Sequence, residues 1–251
     1  AVTWPPLGNR ACSVSVSEDG TRVMAGGDDL IILGDAAGRI LQRIEPGVPT
    51  VDAGLLPLER TFTSDSRGTI SFWDGRGKKT SSYNAGARVS HWMLSFDADR
   101  IAGVTEDGNV FLIDLQGRIQ GTWQLWLNPC SRSSCPPTAT AFNYRVAFAG
   151  KDSLVVGGTS NVIAFLSTKP GGEVRRVPVT EQPVAIFSSG NSVVIVFKNG
   201  AVRRYSGKGM VTQEIQAPHG QVLSAACSRD CEVLALARAD GFIEVHEQMV
   251  K

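Results

Sequence analysis

Apolar and polar positions alternate in short blocks along almost the whole chain. An apolar run leads into a polar turn with Asp, Asn or Gly. A second apolar run follows, ending in a polar residue and a Gly-containing turn. The second runs align as Leu30–Asp35, Thr69–Asp74, Val110–Asp114, Val162–Ser167, Ala201–Ser206 and Phe242–Glu247. Their closing residues, Asp35, Asp74, Asp114, Ser167, Ser206 and Glu247, lie 39, 40, 53, 39 and 41 residues apart. The preceding runs, such as Leu154–Gly158 and Val193–Phe197, are continuously apolar, as strands packed on both faces are. Between the two runs stand Asp107-Gly108, Asn199-Gly200 and Asp240-Gly241, which accept the positive φ of tight hairpins. No window of a dozen residues shows a 3.6-residue apolar period with caps, so strands are predicted throughout and helices nowhere.

A unit near 40 residues is the length of one four-stranded propeller blade. The fold class predicted is all-β, a single six-bladed β-propeller of four-stranded antiparallel blades over residues 1–251. The blades fall at 11–47, 48–86, 87–129, 138–182, 183–220 and 221–251. The interval of 53 residues holds a loop insertion between Gln124 and Pro137. Seven blades, with residues 124–150 supplying part of one, is the alternative. Pro129, Pro136 and Pro137 argue against it, because Pro is poorly tolerated in interior strands. The last blade lacks a fourth strand, since only four residues follow Glu247. Residues 1–10 are left over, and Ala1–Trp4 is expected to pair with Phe242–Glu247 and close the ring.

Gly68–Asp74 (GTISFWD) resembles the third strand of a WD40 repeat, which ends in Trp-Asp. Ser13–Gly27 (SVSVSEDGTRVMAGG) is similar to units of the WD40-like and PQQ-like repeat propellers of bacteria and archaea. The other copies replace the Trp by Gly34, Ile113, Leu166, Tyr205 and His246. The Gly-His dipeptide of eukaryotic WD40 repeats is absent, and Pro218-His219-Gly220 has the reverse order. The resemblance implies the propeller fold over Ala11–Glu247, with function carried by loop surfaces.

Charge narrows the partners. The 25 basic and 24 acidic residues give a net charge of +1, without the clustered basic excess of a nucleic-acid binder. Lys78-Lys79 and Arg203-Arg204 read as solvated strand or loop positions. No stretch approaches the ~20 apolar residues of a membrane span, and no signal peptide is seen. The chain begins at Ala1 rather than Met, as a trimmed N-terminus would.

Five cysteines carry the most specific chemistry. Cys130 with Cys135, and Cys227 with Cys231, each bracket a short loop and are expected as disulfides; free thiols and zinc are the alternatives. Cys12 sits on an apolar strand and reads as a small buried hydrophobe. Two local disulfides imply an oxidising setting, extracellular or at a cell surface, with the cytoplasm of a thermophile as the exception. No catalytic constellation stands out. Asp19, Asp65, Asp107 and Asp240 occupy turns, where carboxylates organise backbone. Asp28-Asp29 alone does not make a calcium site. A quinone-type propeller enzyme is disfavoured because no Cys-Cys dipeptide occurs. No enzyme activity, cofactor or metal is expected.

The most unusual loop, Thr122–Pro137, carries Trp123, Leu125, Trp126 and Leu127. Clustered aromatics there suggest a contact patch for another protein or copies of the same chain. The alternative has Trp123 and Leu125 in the outer strand of blade three with Trp126 packed beneath the loop. His91-Trp92 reads as core. The function predicted is a non-catalytic protein-interaction or structural module, with a small-ligand or glycan binder as the alternative.

Overall fold

The structure, a computed structural model, describes residues 4, 6–7, 10–17, 19–125, 144–158, 161–216, 220–228 and 230–247. It contains 23 β-strands and no helix among the described residues. The first sheet is β1 (Ala11–Val16), β2 (Arg22–Gly27), β3 (Ile31–Asp35) and β4 (Ile40–Ile44). The second is β5 (Thr50–Leu55), β6 (Thr61–Asp65), β7 (Thr69–Trp73) and β8 (Lys79–Asn84). The third is β9 (Val89–Leu94), β10 (Arg100–Thr105), β11 (Asn109–Asp114) and β12 (Ile119–Gln124). The fourth is β13 (Arg145–Phe148), β14 (Ser153–Gly157), β15 (Val162–Ser167) and β16 (Val174–Pro178). The fifth is β17 (Pro183–Ser189), β18 (Ser192–Phe197), β19 (Ala201–Ser206) and β20 (Val211–Gln216). The sixth has three strands, β21 (Val222–Cys227), β22 (Val233–Arg238) and β23 (Ile243–Glu247). Each sheet is a meander whose spatial order follows the chain.

The aligned runs of the sequence are the third strands, and each observed boundary lies within one residue of the expected one. Their closing carboxylates explain why the period is so regular. Asp74 Oδ1 accepts from the backbone N–H groups of Arg76 and Lys78, both at 2.9 Å. Asp114 Oδ1 does the same with Gln116 and Arg118, and Asp35 Oδ1 accepts from Arg39 N. The carboxylate thus shapes the turn into the fourth strand. Backbone hydrogen bonds from Lys78 and then Arg76 hold the Asp74 carboxyl below its usual range. Before the third strands, φ is +83° at Gly108, +90° at Gly200 and +86° at Gly241, as the hairpin turns require.

The chain divides into two compact units, Ala1–Val89 with Ile113–Gln120, and Ser90–Leu112 with Gly121–Lys251. In the first, Met24, Ile31, Leu33, Ile44, Ala53 and Trp73 form one core cluster joining the first and second sheets. Trp73, of the Trp-Asp dipeptide, donates from Nε1 to Thr63 Oγ1 at 3.1 Å. In the second unit, Val110, Leu112, Tyr144, Val146 and Phe148 share a cluster, and Val155, Phe165, Ile195, Phe197 and Tyr205 share the next. Within each unit successive sheets therefore pack on one another, and first strands neighbour one another: β1 by β5 in the first unit, β13 by β17 and β17 by β21 in the second. Side chains tie these inner strands across sheets: Ser90 Oγ donates to Tyr144 O, and Phe148 N donates to Ser188 Oγ. Fourth strands such as β8, β12 and β16 are mostly exposed.

Of the described residues before β1, Trp4 and Leu7 lie against the first sheet, at Gly34 and Gly27. Trp4 covers Gly34, where a side chain would collide with its ring, and its Nε1 donates to Gly38 O at 2.9 Å. The indole needs an acceptor once its ring is packed, and the β3–β4 turn supplies one. The expected pairing of Ala1–Trp4 with Phe242–Glu247 falls mainly on residues 1–3, outside the described residues. Among the described residues β23 pairs with β22 alone. Of the segment 124–150 considered for a seventh blade, Arg145–Phe148 opens the fourth sheet and residues 126–143 lie outside the described residues.

Close approach makes Gly103 a sensitive position, because a Cβ there would run into the buried Phe111 ring. Gly103→Ala is expected to cost about 1–3 kcal/mol by overpacking. The shift of the urea midpoint, at unchanged slope, measures it.

Candidate interaction interface

The sixth sheet differs from the other five in having no fourth strand among the described residues. Register sets its two faces. Ala225, Leu236 and Glu244 lie side by side, as do Cys227, Leu234 and His246 on the same face. This face is packed, with Val222, Leu234 and Leu236 joining Val194, Val196 and Val202 of the fifth sheet. The opposite face carries Ala226, Ala235 and Val245 in one row and Ser224, Ala237 and Ile243 in the next. Here Ile243 is 72% exposed and Val245 60%, with Phe242 at 67% beside them. An apolar edge strand with a single strand neighbour is a template for pairing with another chain.

The packed face of β23 carries a charged group. Arg238 pairs with Asp240 and Glu244, and His246 Nε2 stands 3.5 Å from Glu244 Oε2. Both of those last atoms are buried and without a hydrogen-bond partner among the described residues. A buried polar atom without a hydrogen bond costs about 1–3 kcal/mol, of which the mutual attraction of the two offsets a part, and an incoming donor or acceptor gains the rest.

Trp123 and Leu125, expected in a contact patch, serve the core instead. Leu125 is 2% exposed, inside the cluster with Val110, Tyr144 and Val146, and Trp123 packs against that cluster. The Trp123 ring lies over Gly121, whose missing side chain makes room for it. The alternation of β12 turns positions 121, 123 and 125 inward, which buries Leu125 and leaves Trp123 partly exposed. Trp126, Leu127, Cys130 and Cys135 lie outside the described residues.

Cys227 and Cys231 are brought together as free thiols across the β21–β22 turn, Cys231 fully buried and Cys227 partly so. The turn carboxylates act as turn chemistry requires. Asp19 Oδ1 accepts from Ser17 Oγ and from Thr21 N and Oγ1, and the Ser17 bond leads in holding its pKa down to about 2. Asp65 Oδ1 accepts from Arg67 N and Thr69 N, and Asp107 bonds Thr105 and Asn109. Asp28 and Asp29 do not converge: Asp28 pairs with Arg10 at 3.5 Å, while Asp29 lines an open cleft with Glu45 and Pro49. Among the described residues no cluster of three or more His, Cys, Asp or Glu side chains is placed to hold a metal ion.

None of the family models and none of the curated proteins compared matches this chain. Solved structures do. A chain of the Mitotic Checkpoint Complex superposes with a TM-score of 0.71 at 18% identity, over 94% of this chain and 76% of that one. Kuenenia stuttgartiensis Hydrazine Synthase gives 0.70 at 14%, over 96% and 84%. The computationally designed Ika8 protein gives 0.69 at 14%, over 94% and 71%. The fold is of the WD40/propeller type. At these identities the likeness concerns the fold alone.

One residue in this propeller fold was read as core but not as an acid-sensitive group. His91, on β9, accepts from Val146 N–H of β13 through Nδ1 at 3.3 Å. Burial, and then the Arg145 charge, push its pKa from 6.5 down to about 4. The folded protein thus binds fewer protons than the unfolded chain between those values, and protonation removes the acceptor. The His91 contribution, about 3 kcal/mol, is complete above pH 6.5 and is lost as pH falls to 4. Chemical unfolding across that range is expected to show the slope in the natural chain. His91→Gln, which keeps an acceptor but no titration, should flatten it.

Proposed function

We propose that this chain is a non-catalytic propeller serving as a self-associating structural module, in which β23 pairs antiparallel with β23 of a second copy. The observation that carries this reading is the sixth sheet, with three described strands and an exposed apolar third strand. The sequence of that strand is self-complementary. A two-fold axis at Val245 sets Val245 against Val245, Ile243 against Glu247, and Glu244 against His246, on matching faces. Glu244 Oε2 and His246 Nε2, an ion pair 3.5 Å apart without a hydrogen bond, then face each other's counterparts. The six sheets stand in this reading as the blades of one ring.

Sedimentation velocity at rising protein concentration is expected to show a dimer in the natural chain. Val245→Lys should leave a monomer with a melting temperature within about 2 °C of the original, as for other exposed positions. The chain's own N-terminus is the competing occupant of the open edge. A truncation removing only Ala1–Thr3 keeps Trp4 on the first sheet and separates the cases. If it melts several degrees lower while the natural chain stays monomeric, the edge belongs to the N-terminus and self-association fails.

A further inference from the structure

The β21–β22 turn holds two sulfurs and is fastened to the fifth sheet. Cys227 packs against the buried cluster that contains Cys231, four residues along the same turn. Cys231 Sγ in turn donates to Ser188 O at 3.6 Å. Next to it, Ser189 Oγ donates to Asp230 O at 2.9 Å and accepts from Arg204 Nη1 at 2.8 Å. Cys231 takes φ of +57°, a conformation that non-Gly residues adopt only when their surroundings impose it.

We propose that Cys227 and Cys231 form a reversible dithiol–disulfide couple that sets how firmly the last sheet is held. The two thiols have different roles. Cys227 is the partly exposed one and meets the oxidant, a small disulfide such as oxidised glutathione. Its sulfur attacks one sulfur of the reagent, forming a mixed disulfide and releasing one thiol, which carries the proton away. Cys231 then attacks the Cys227 sulfur and expels the second thiol. Two cysteine thiols lose two hydrogens, and one reagent disulfide gains them. Exposure rather than acidity puts Cys227 first: the interaction between the two sulfurs raises the Cys227 pKa and lowers that of Cys231, with the Arg204 charge adding to the latter against burial, which favours Cys231 as the second nucleophile. Closure pins the turn in the unfolded ensemble as well as in the folded one.

The full chain is equilibrated in glutathione buffers from fully reduced to fully oxidised, quenched by alkylation, and digested with trypsin. Cleavage after Arg229 separates the cysteines into Gly209–Arg229 and Asp230–Arg238. The oxidised end is expected to give the two peptides joined, and the reduced end each alkylated alone. The oxidised protein should melt about 5 °C higher than the reduced one. Cys227→Ser should lose that difference, whatever Cys130 and Cys135 do. Separately alkylated peptides at every glutathione ratio overturn the couple. Joined peptides with equal melting temperatures overturn its hold on the sheet.

Discussion

The packing of one sheet against the next within each unit is the constraint on which everything else rests. A strand covered on both faces cannot alternate apolar and polar residues, and β10, β14 and β18 accordingly read as nearly unbroken apolar runs. Polar atoms that enter this layer must be paired there. Trp73 with Thr63, and Ser188 with Phe148, are local solutions, each using a short side chain to meet one donor. The sixth sheet shows both situations at once. Its inner face joins the fifth sheet, while Ile243 and Val245 remain in water.

Much of this was legible before any coordinates. The third strands could be placed to within a residue because each ends in a polar residue after an apolar run, and in three of them, at Asp35, Asp74 and Asp114, that residue also organises the following turn. Fourth strands were harder to place. β8 (KTSSYN) and β16 (VRRVP) are mostly exposed, so packing does not restrict their composition and leaves no pattern to align.

The candidate interface was legible only in part. Three strands are described in the sixth sheet, and the exposure of one apolar face there depends on which way β23 alternates. Sequence reasoning placed the contact patch on Trp123 and Leu125 instead, since clustered aromatics look alike whether they face water or core. One residue of register decides between them. His91 shows a similar limit: its sequence context marks it as core, yet only the spatial neighbours Val146 and Arg145 reveal an imidazole kept neutral.

The carboxylates at the ends of β3, β7 and β11 reach no farther than four residues along the chain. Each of these hairpins therefore sets its own register without help from distant segments. Contacts so close in sequence cost little loop entropy to form, which favours fast assembly of individual sheets. Such a chain can begin folding at more than one sheet and spread outward, in the manner of repeat arrays. The same locality lets one repeat drift without disturbing the next, which accounts for a Trp-Asp ending in one copy and Gly34, Ile113 or Tyr205 in the Trp position of others.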